Sequence, residues 1–235
     1  MKIDVFTISY NEEKMLPYFL KHYRQFAAVH LWDNHSTDNT LKIAKEAGVE
    51  ITTFETNGEY DELSLSEIRS RNWKGSDADW VIVCDCDEFI YHPNIIDVLE
   101  KSESTLIIPT GFNMVSVKFP TTIGQIYDEV NMGVLDYRYS KPIIFKPADI
   151  KEINFRAGAH FADPIGNVII NTTSGIKLLH MKFLSKEYII ERYAIYEKRK
   201  SERTTRDNFG FEYAWSEQQI INDFNERYKL IEKVI

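Results

Sequence analysis

Between residues 2 and 88 the chain alternates short apolar strands with amphipathic helices, and this alternation limits the fold more than any other feature. Residues 2–9 carry Ile3, Val5, Phe6 and Ile8 and stop at Tyr10-Asn11-Glu12-Glu13, where Asn11 is placed to cap a helix. Met15, Phe19, His22, Tyr23 and Phe26 then recur at helical spacing. A second strand over 29–32 leads to Ser36, which reads as the cap of a helix through Leu41, Ile43, Ala44 and Ala47, closed by Gly48. A third strand over 49–54 and a helix over 63–73 precede the β-branched run Val81-Ile82-Val83. Such a repeat predicts a parallel sheet with helices on both faces. Right-handed crossovers then bring Asn11, Asp33 and the end of the fourth strand to one edge.

That fourth strand runs into Cys84-Asp85-Cys86-Asp87-Glu88. If the backbone stays extended, Asp85 and Asp87 share a side and Cys86 points away. Paired carboxylates suit a hard divalent cation, Mg²⁺ or Mn²⁺, which keeps positions for phosphate oxygens. Strand carboxyl ends are also where open α/β sheets hold ligands. An isolated Asp-x-Asp in an acidic chain equally reads as a solvated turn, so the neighbouring segments matter.

With 235 residues and 43% hydrophobic content the chain can bury a sizeable core. A net charge of −8 argues against nonspecific nucleic-acid binding. No apolar run reaches the ~18 residues of a membrane span, and the start of the chain reads as having no signal peptide. Cys84 and Cys86 lack partners for a framework disulfide or a zinc site and read as buried free thiols, which points to the cytoplasm. After Phe89 the pattern loosens: a helix over 94–101, strands near 105–109, 112–117, 142–145, 168–170 and 176–180, and helices over 186–199 and 212–231. One domain is expected over 1–235, with a nucleotide-binding half (1–100), an acceptor-side part (101–182) and C-terminal helices (183–235).

Four segments in this order resemble family 2-like glycosyltransferases of the GT-A fold. They are Thr7-Ile8-Ser9-Tyr10-Asn11-Glu12-Glu13, Asp33-Asn34-x-Ser36-x-Asp38-x-Thr40, Arg69-x-Arg71-Asn72 and Asp85-x-Asp87-Glu88. The resemblance covers roughly the first hundred residues. It implies a Rossmann-like mixed sheet and an enzyme that moves a sugar from a nucleoside-diphosphate donor to a hydroxyl of a glycan, lipid-linked or other acceptor, with inversion. It places Asn11, Glu13 and Asp33 on the nucleoside. Asp85 and Asp87 act through the metal, with Asp87 as direct ligand, and Arg71, or else Arg69, sits near the phosphates. Downstream, Lys141 in Ser140-Lys141-Pro142 is placed near a phosphate. His180, before His160, is placed on metal or phosphate.

Inversion needs a general base on the face opposite the leaving group. Asp128 and Glu129 are the leading candidates, with Asp136 and His160 beside them. The acids Glu55, Glu59, Asp61, Glu62 and Glu67 read as a solvated face. Residues 182–206 carry eight Lys/Arg against four Glu. This segment is expected to dock on the acidic body, or on an anionic acceptor or the inner membrane surface. A sugar nucleotidyltransferase and a noncatalytic nucleotide- or carbohydrate-binding module are the competing readings. The first is disfavoured because the loop after the first strand is acidic rather than Gly-rich and basic.

Overall fold

The computed structural model describes all 235 residues. Its first part follows the expected alternation: β1 (Ile3–Ser9), α1 (Leu16–Tyr23), β2 (Ala28–Asp33), α2 (Thr40–Glu46), β3 (Glu50–Thr53), α3 (Glu62–Arg71) and β4 (Trp80–Val83). Then come β5 (Glu88–Tyr91), α4 (Ile95–Glu100), β6 (Leu106–Ile107), β7 (Thr110–Val115), α5 (Ile126–Glu129) and β8 (Met132–Leu135). Short strands β9 (Ile144–Phe145), β10 (Ile150–Glu152), β11 (Ile165–Gly166) and β12 (Ile170–Asn171) precede the long β13 (Lys177–Phe183). The chain ends with α6 (Lys186–Arg199), α7 (Glu202–Arg206), α8 (Glu217–Tyr228) and β14 (Glu232–Lys233).

Seven strands form one mixed sheet in the order β12-β6-β9-β4-β1-β2-β3. β1 pairs in parallel with both β2 and β4, and β2 with β3, so the loops after β1, β2 and β4 share one edge. β9 runs antiparallel to β4. That pairing returns the preceding residue Lys141 to the tip of β4. A five-stranded sheet, β14-β8-β7-β13-β5, lies beside the first. In it β13 sits between β5 and β7, with His180 opposite Glu88 on one side and Asn113 on the other. Register alone therefore carries His180 to the acids that end β4.

Several local expectations fail for identifiable reasons. The backbone turns at 84–87 and β5 starts at once, so no extended geometry aligns Asp85 with Asp87. Asn11 does not cap α1: it has φ 54° inside a loop, and the helix starts after Met15 with Pro17 in its first turn. Asn39, not Ser36, stands before α2. The long final helix is broken: a 3₁₀ turn at Phe211–Ala214 ends before Ser216, which caps α8 through a reciprocal box with Gln219. The acidic run is not all solvated. Asp61 and Glu62 are buried, Asp61 capping α3 through the Ser64 N–H and Glu62 accepting from Arg69.

One continuous core joins β1, β2, β4, β5, β9 and β13 with α1, in which Met15, Phe19 and Tyr23 are buried as the spacing predicts. A smaller core of Val115, Phe183, Ile189, Tyr193, Ile220 and Phe224 fastens α6 and α8 to the second sheet. Burial of such side chains contributes roughly 1.5–3 kcal/mol each, enough to hold the basic α6 against the body. No helix is long and apolar enough to cross a membrane.

Candidate active site

The turn after β4 forms the floor of a cavity of about 220 Å³. Asp85, Asp87, Lys141, His160 and His180 all border it, as do Glu12, Tyr139 and Arg192. Asp85 is the more constrained acid. Arg69 donates to Asp85 Oδ1 from Nε at 3.2 Å and Nη2 at 2.9 Å, and Lys141 Nζ lies 3.8 Å from Oδ2. Burial disfavours the charge, but Arg69 and Lys141 outweigh it and hold the Asp85 carboxyl below its usual range. Lys141 itself is buried, 2.5 Å from Glu88 Oε1. Burial disfavours the ammonium, and the carboxylates of Glu88 and Asp85 overcome this and keep it charged.

Asp87 has no such brace. Its Oδ2 lies 3.4 Å from His180 Nε2. Burial works against its charge too, but His180, Arg192 and Lys141 keep the carboxyl well below the usual range. A relay behind His180 sets its tautomer. Asp136, kept ionised by Arg138 against the effect of burial, only accepts, so the Asn113 amide donates Nδ2–H to Asp136 Oδ2 at 2.8 Å. Asn113 Oδ1 then accepts Nδ1–H from His180 at 2.8 Å. Nε2 is left facing the Asp87 carboxylate oxygen, a pairing that is favourable with a proton or a cation between the two.

This pair fits a divalent cation; Asp85, taken up by Arg69 and Lys141, does not act as a second ligand in this structure. No cluster of three or more His, Cys, Asp or Glu side chains with metal-holding geometry occurs. Two protein ligands leave most positions to water and phosphate, the usual habit of Mg²⁺.

Other expected contacts are made elsewhere. Asp33 is fully buried, its oxygens accepting from the Ser9 hydroxyl at 3.0 Å, the Ser36 N–H at 2.8 Å and the Ser36 hydroxyl at 2.5 Å. Asn11 Oδ1 accepts the Thr37 N–H, and Glu13 Oε2 accepts from Asn39. These three side chains lace the loops after β1 and β2 together instead of facing the cavity. Arg69, not Arg71, reaches the acids, because the two lie on different faces of α3. Asp128 and Glu129 are exposed and serve the turn around α5, Asp128 accepting the Gln125 N–H at 2.7 Å and Glu129 the Thr121 N–H at 3.1 Å. Neither borders the cavity, so neither is placed to act as the base.

The residues that sequence reasoning missed come mainly from α6 and the turn beyond it. Arg192 donates to the Asn11 carbonyl at 2.9 Å and pairs with Glu12, whose carboxyl burial pushes up to about 7 with Arg192 opposing. Arg199 lies over the Tyr10 ring, 3.3 Å from its centroid, and donates to Asn34. Glu212 borders the cavity, with Lys182 Nζ 3.2 Å from its Oε1. The one sequence signal for Arg192 and Arg199 was the charge of residues 182–206, which shows a basic face but not what it covers, and Glu212 had none.

Residues 4–116 match the model of the family described as glycosyl transferase family 2. The match spans the N-terminal part of the chain, from β1 through β7. The matched family is the expected one, and the mixed α/β sheet expected with it is present. No curated protein matches the chain significantly in sequence. Among solved structures the chain is similar to residues 1–349 of TarS from S. aureus, at 15% identity over 97% of this chain and 72% of that one, with a TM-score of 0.43. A longer TarS structure is covered to 43% of its length, at 16% identity over 97% of this chain and a TM-score of 0.43. Glucosyl-3-phosphoglycerate synthase from Mycobacterium tuberculosis, in complex with Mn²⁺, UDP and glucosyl-3-phosphoglycerate, is similar at 19% identity over 48% of this chain and 44% of that one, with a TM-score of 0.36.

Proposed function

We propose that the chain transfers a sugar from a nucleoside-diphosphate donor to an acceptor hydroxyl, with a divalent cation and with inversion at the anomeric carbon. The observation that carries this reading is the Asp87–His180 pair on the cavity floor, held 3.4 Å apart with the other ring nitrogen of His180 committed to Asn113. A cation held there, when bound, neutralises charge that develops on the departing diphosphate. The chain's own residues do the rest. Arg192 presents a fixed guanidinium beside Asp87, and Lys141 and Arg69 hold the turn rigid by locking Asp85. Tyr10 supplies an aromatic face at the nucleoside end, covered by Arg199.

The base is Glu212, which borders the cavity and is kept ionised by Lys182, whose attraction exceeds the effect of burial. His160 stands next to it in this role. Its Nδ1 donates to the Arg138 carbonyl at 2.6 Å, and burial, then Lys141, lowers it to about 4, so the imidazole is neutral with Nε2 free.

The test is a thermal-shift screen of nucleoside diphosphates and their sugars with and without Mn²⁺, since a ligand that binds only the native state raises the midpoint by mass action. At least one nucleotide should raise the midpoint only with metal, and Asp87→Asn should remove that increment. A screen with no shift, or an equal shift in the variant, overturns the proposal.

A further inference from the structure

Beyond Tyr139 and His160 the cavity opens into a second hollow of about 940 Å³. The two share Tyr139, Ala157, His160, Phe209, Gly210 and Glu212. A molecule lying in the outer groove therefore has one end at Glu212, where an acceptor hydroxyl must arrive. Its volume is at the upper end of the roughly 300–1,000 Å³ that small-ligand sites offer.

Its lining is unusual in two respects. Two phenylalanines, Phe161 and Phe211, stand 70% and 53% exposed in it, large apolar rings that the core does not use. Around them lie four arginines and three glutamates. Most of these charges are braced from outside the groove: Arg138 by Asp136, Arg156 by Asp163, Arg203 by Asp61, Glu152 by Lys74 and Glu212 by Lys182. The two without such a partner, Arg71 and Glu67, have opposite signs. With every brace counted the groove is electrically balanced. It therefore has no preference for an anion, yet it presents planar forks held rigid at one edge and free at the other; Arg138 and Arg156 remain 71% and 67% exposed.

Rigid bidentate groups of both signs engage pairs of neighbouring hydroxyls, while exposed aromatic rings cover the C–H faces of sugar rings. We infer that this groove is the seat of an uncharged oligosaccharide acceptor several sugar units long, held by Phe161 and Phe211 and the braced arginines. The inference rests on the glycosyltransferase reading for its direction of approach but not for its binding chemistry.

Binding of fluorescein-labelled maltohexaose, cellohexaose, chitohexaose and hexagalacturonate, and of the matching labelled monosaccharides, is measured by anisotropy on the whole chain at low and high salt. At least one neutral hexaose should bind ten-fold or more tightly than its monosaccharide, without salt dependence. The exposed-site double variant Phe161→Ala/Phe211→Ala should lose that gain ten-fold while keeping the wild-type circular dichroism. Binding of hexagalacturonate alone in a salt-sensitive manner, equal binding of hexaose and monosaccharide, no binding at all, or an unaffected double variant each overturns the inference. UDP with Mn²⁺ is titrated into the same samples: a nucleotide shift without oligosaccharide binding defeats the groove alone, whereas oligosaccharide binding without any nucleotide shift defeats the transferase reading and leaves the groove standing.

Discussion

Replacing Lys141 with Met keeps the stem of the side chain and removes the ammonium that lies between Glu88 and Asp85. Both Lys141 and Glu88 are buried, with side chains 3% and 1% exposed, so water cannot replace the lost partner. Breaking one half of a buried pair costs about 3–5 kcal/mol. At about 2–4 °C per kcal/mol for a chain of this size the midpoint should fall by roughly 6–20 °C. The loss should depend on pH. Burial already pushes the Glu88 carboxyl up, with Lys141 as its main opposition, and the substitution raises it further. A carboxyl raised in the folded state binds more protons folded than unfolded, so the variant gains stability as pH falls towards 5 and loses it as pH rises. Urea unfolding followed by circular dichroism at pH 5 and 7 measures both effects. The double variant Lys141→Met/Glu88→Gln should recover most of the loss, since no uncompensated charge remains. A single variant that loses less than about 1 kcal/mol, or a double variant as unstable as the single one, refutes the reasoning.

Asn113→Leu should weaken Mn²⁺ binding by about 10–100-fold, the usual effect of removing the group that orients a metal-binding histidine; titration followed by electron paramagnetic resonance reads it directly, and unchanged affinity removes the relay. Asp87→Asn should lower turnover by about 100-fold or more while keeping the wild-type circular dichroism. His22, which donates Nε2–H to the Ile90 carbonyl, is lowered by burial to about 4. Its unfolded value is about 6.5, so the unfolded chain takes a proton the native one refuses, and stability falls by up to about 3 kcal/mol as pH drops from 6.5 to 4. His22→Gln should flatten that slope in acid-unfolding curves, and an unchanged slope would assign it to other groups.

Much of the active edge was legible before any coordinates. Strand–helix alternation and crossover handedness are local and topological rules, so they located the ends of β1, β2 and β4 together, and Asp87, Lys141, His160 and His180 do meet at the cavity. Misreadings arose where a side chain had two uses. Asp33, Asn11 and Glu13 are polar groups in a loop cluster, and the loops around them took their hydrogen-bonding capacity. Asp128 and Glu129 look like any acidic pair until Asp128 caps α5 and Glu129 takes the Thr121 N–H.

From sequence alone came the periodicities, the acidic end of the fourth strand and the basic stretch over 182–206, because each depends on residues near one another in the chain. Only the tertiary structure decided which acid is free. Asp85 is locked because α3 and the antiparallel β9 deliver Arg69 and Lys141 to it, while Asp87 is left to His180 because β13 pairs in one register between β5 and β7. Strand register and helix packing are set by the burial of the whole core, and no local pattern contains them.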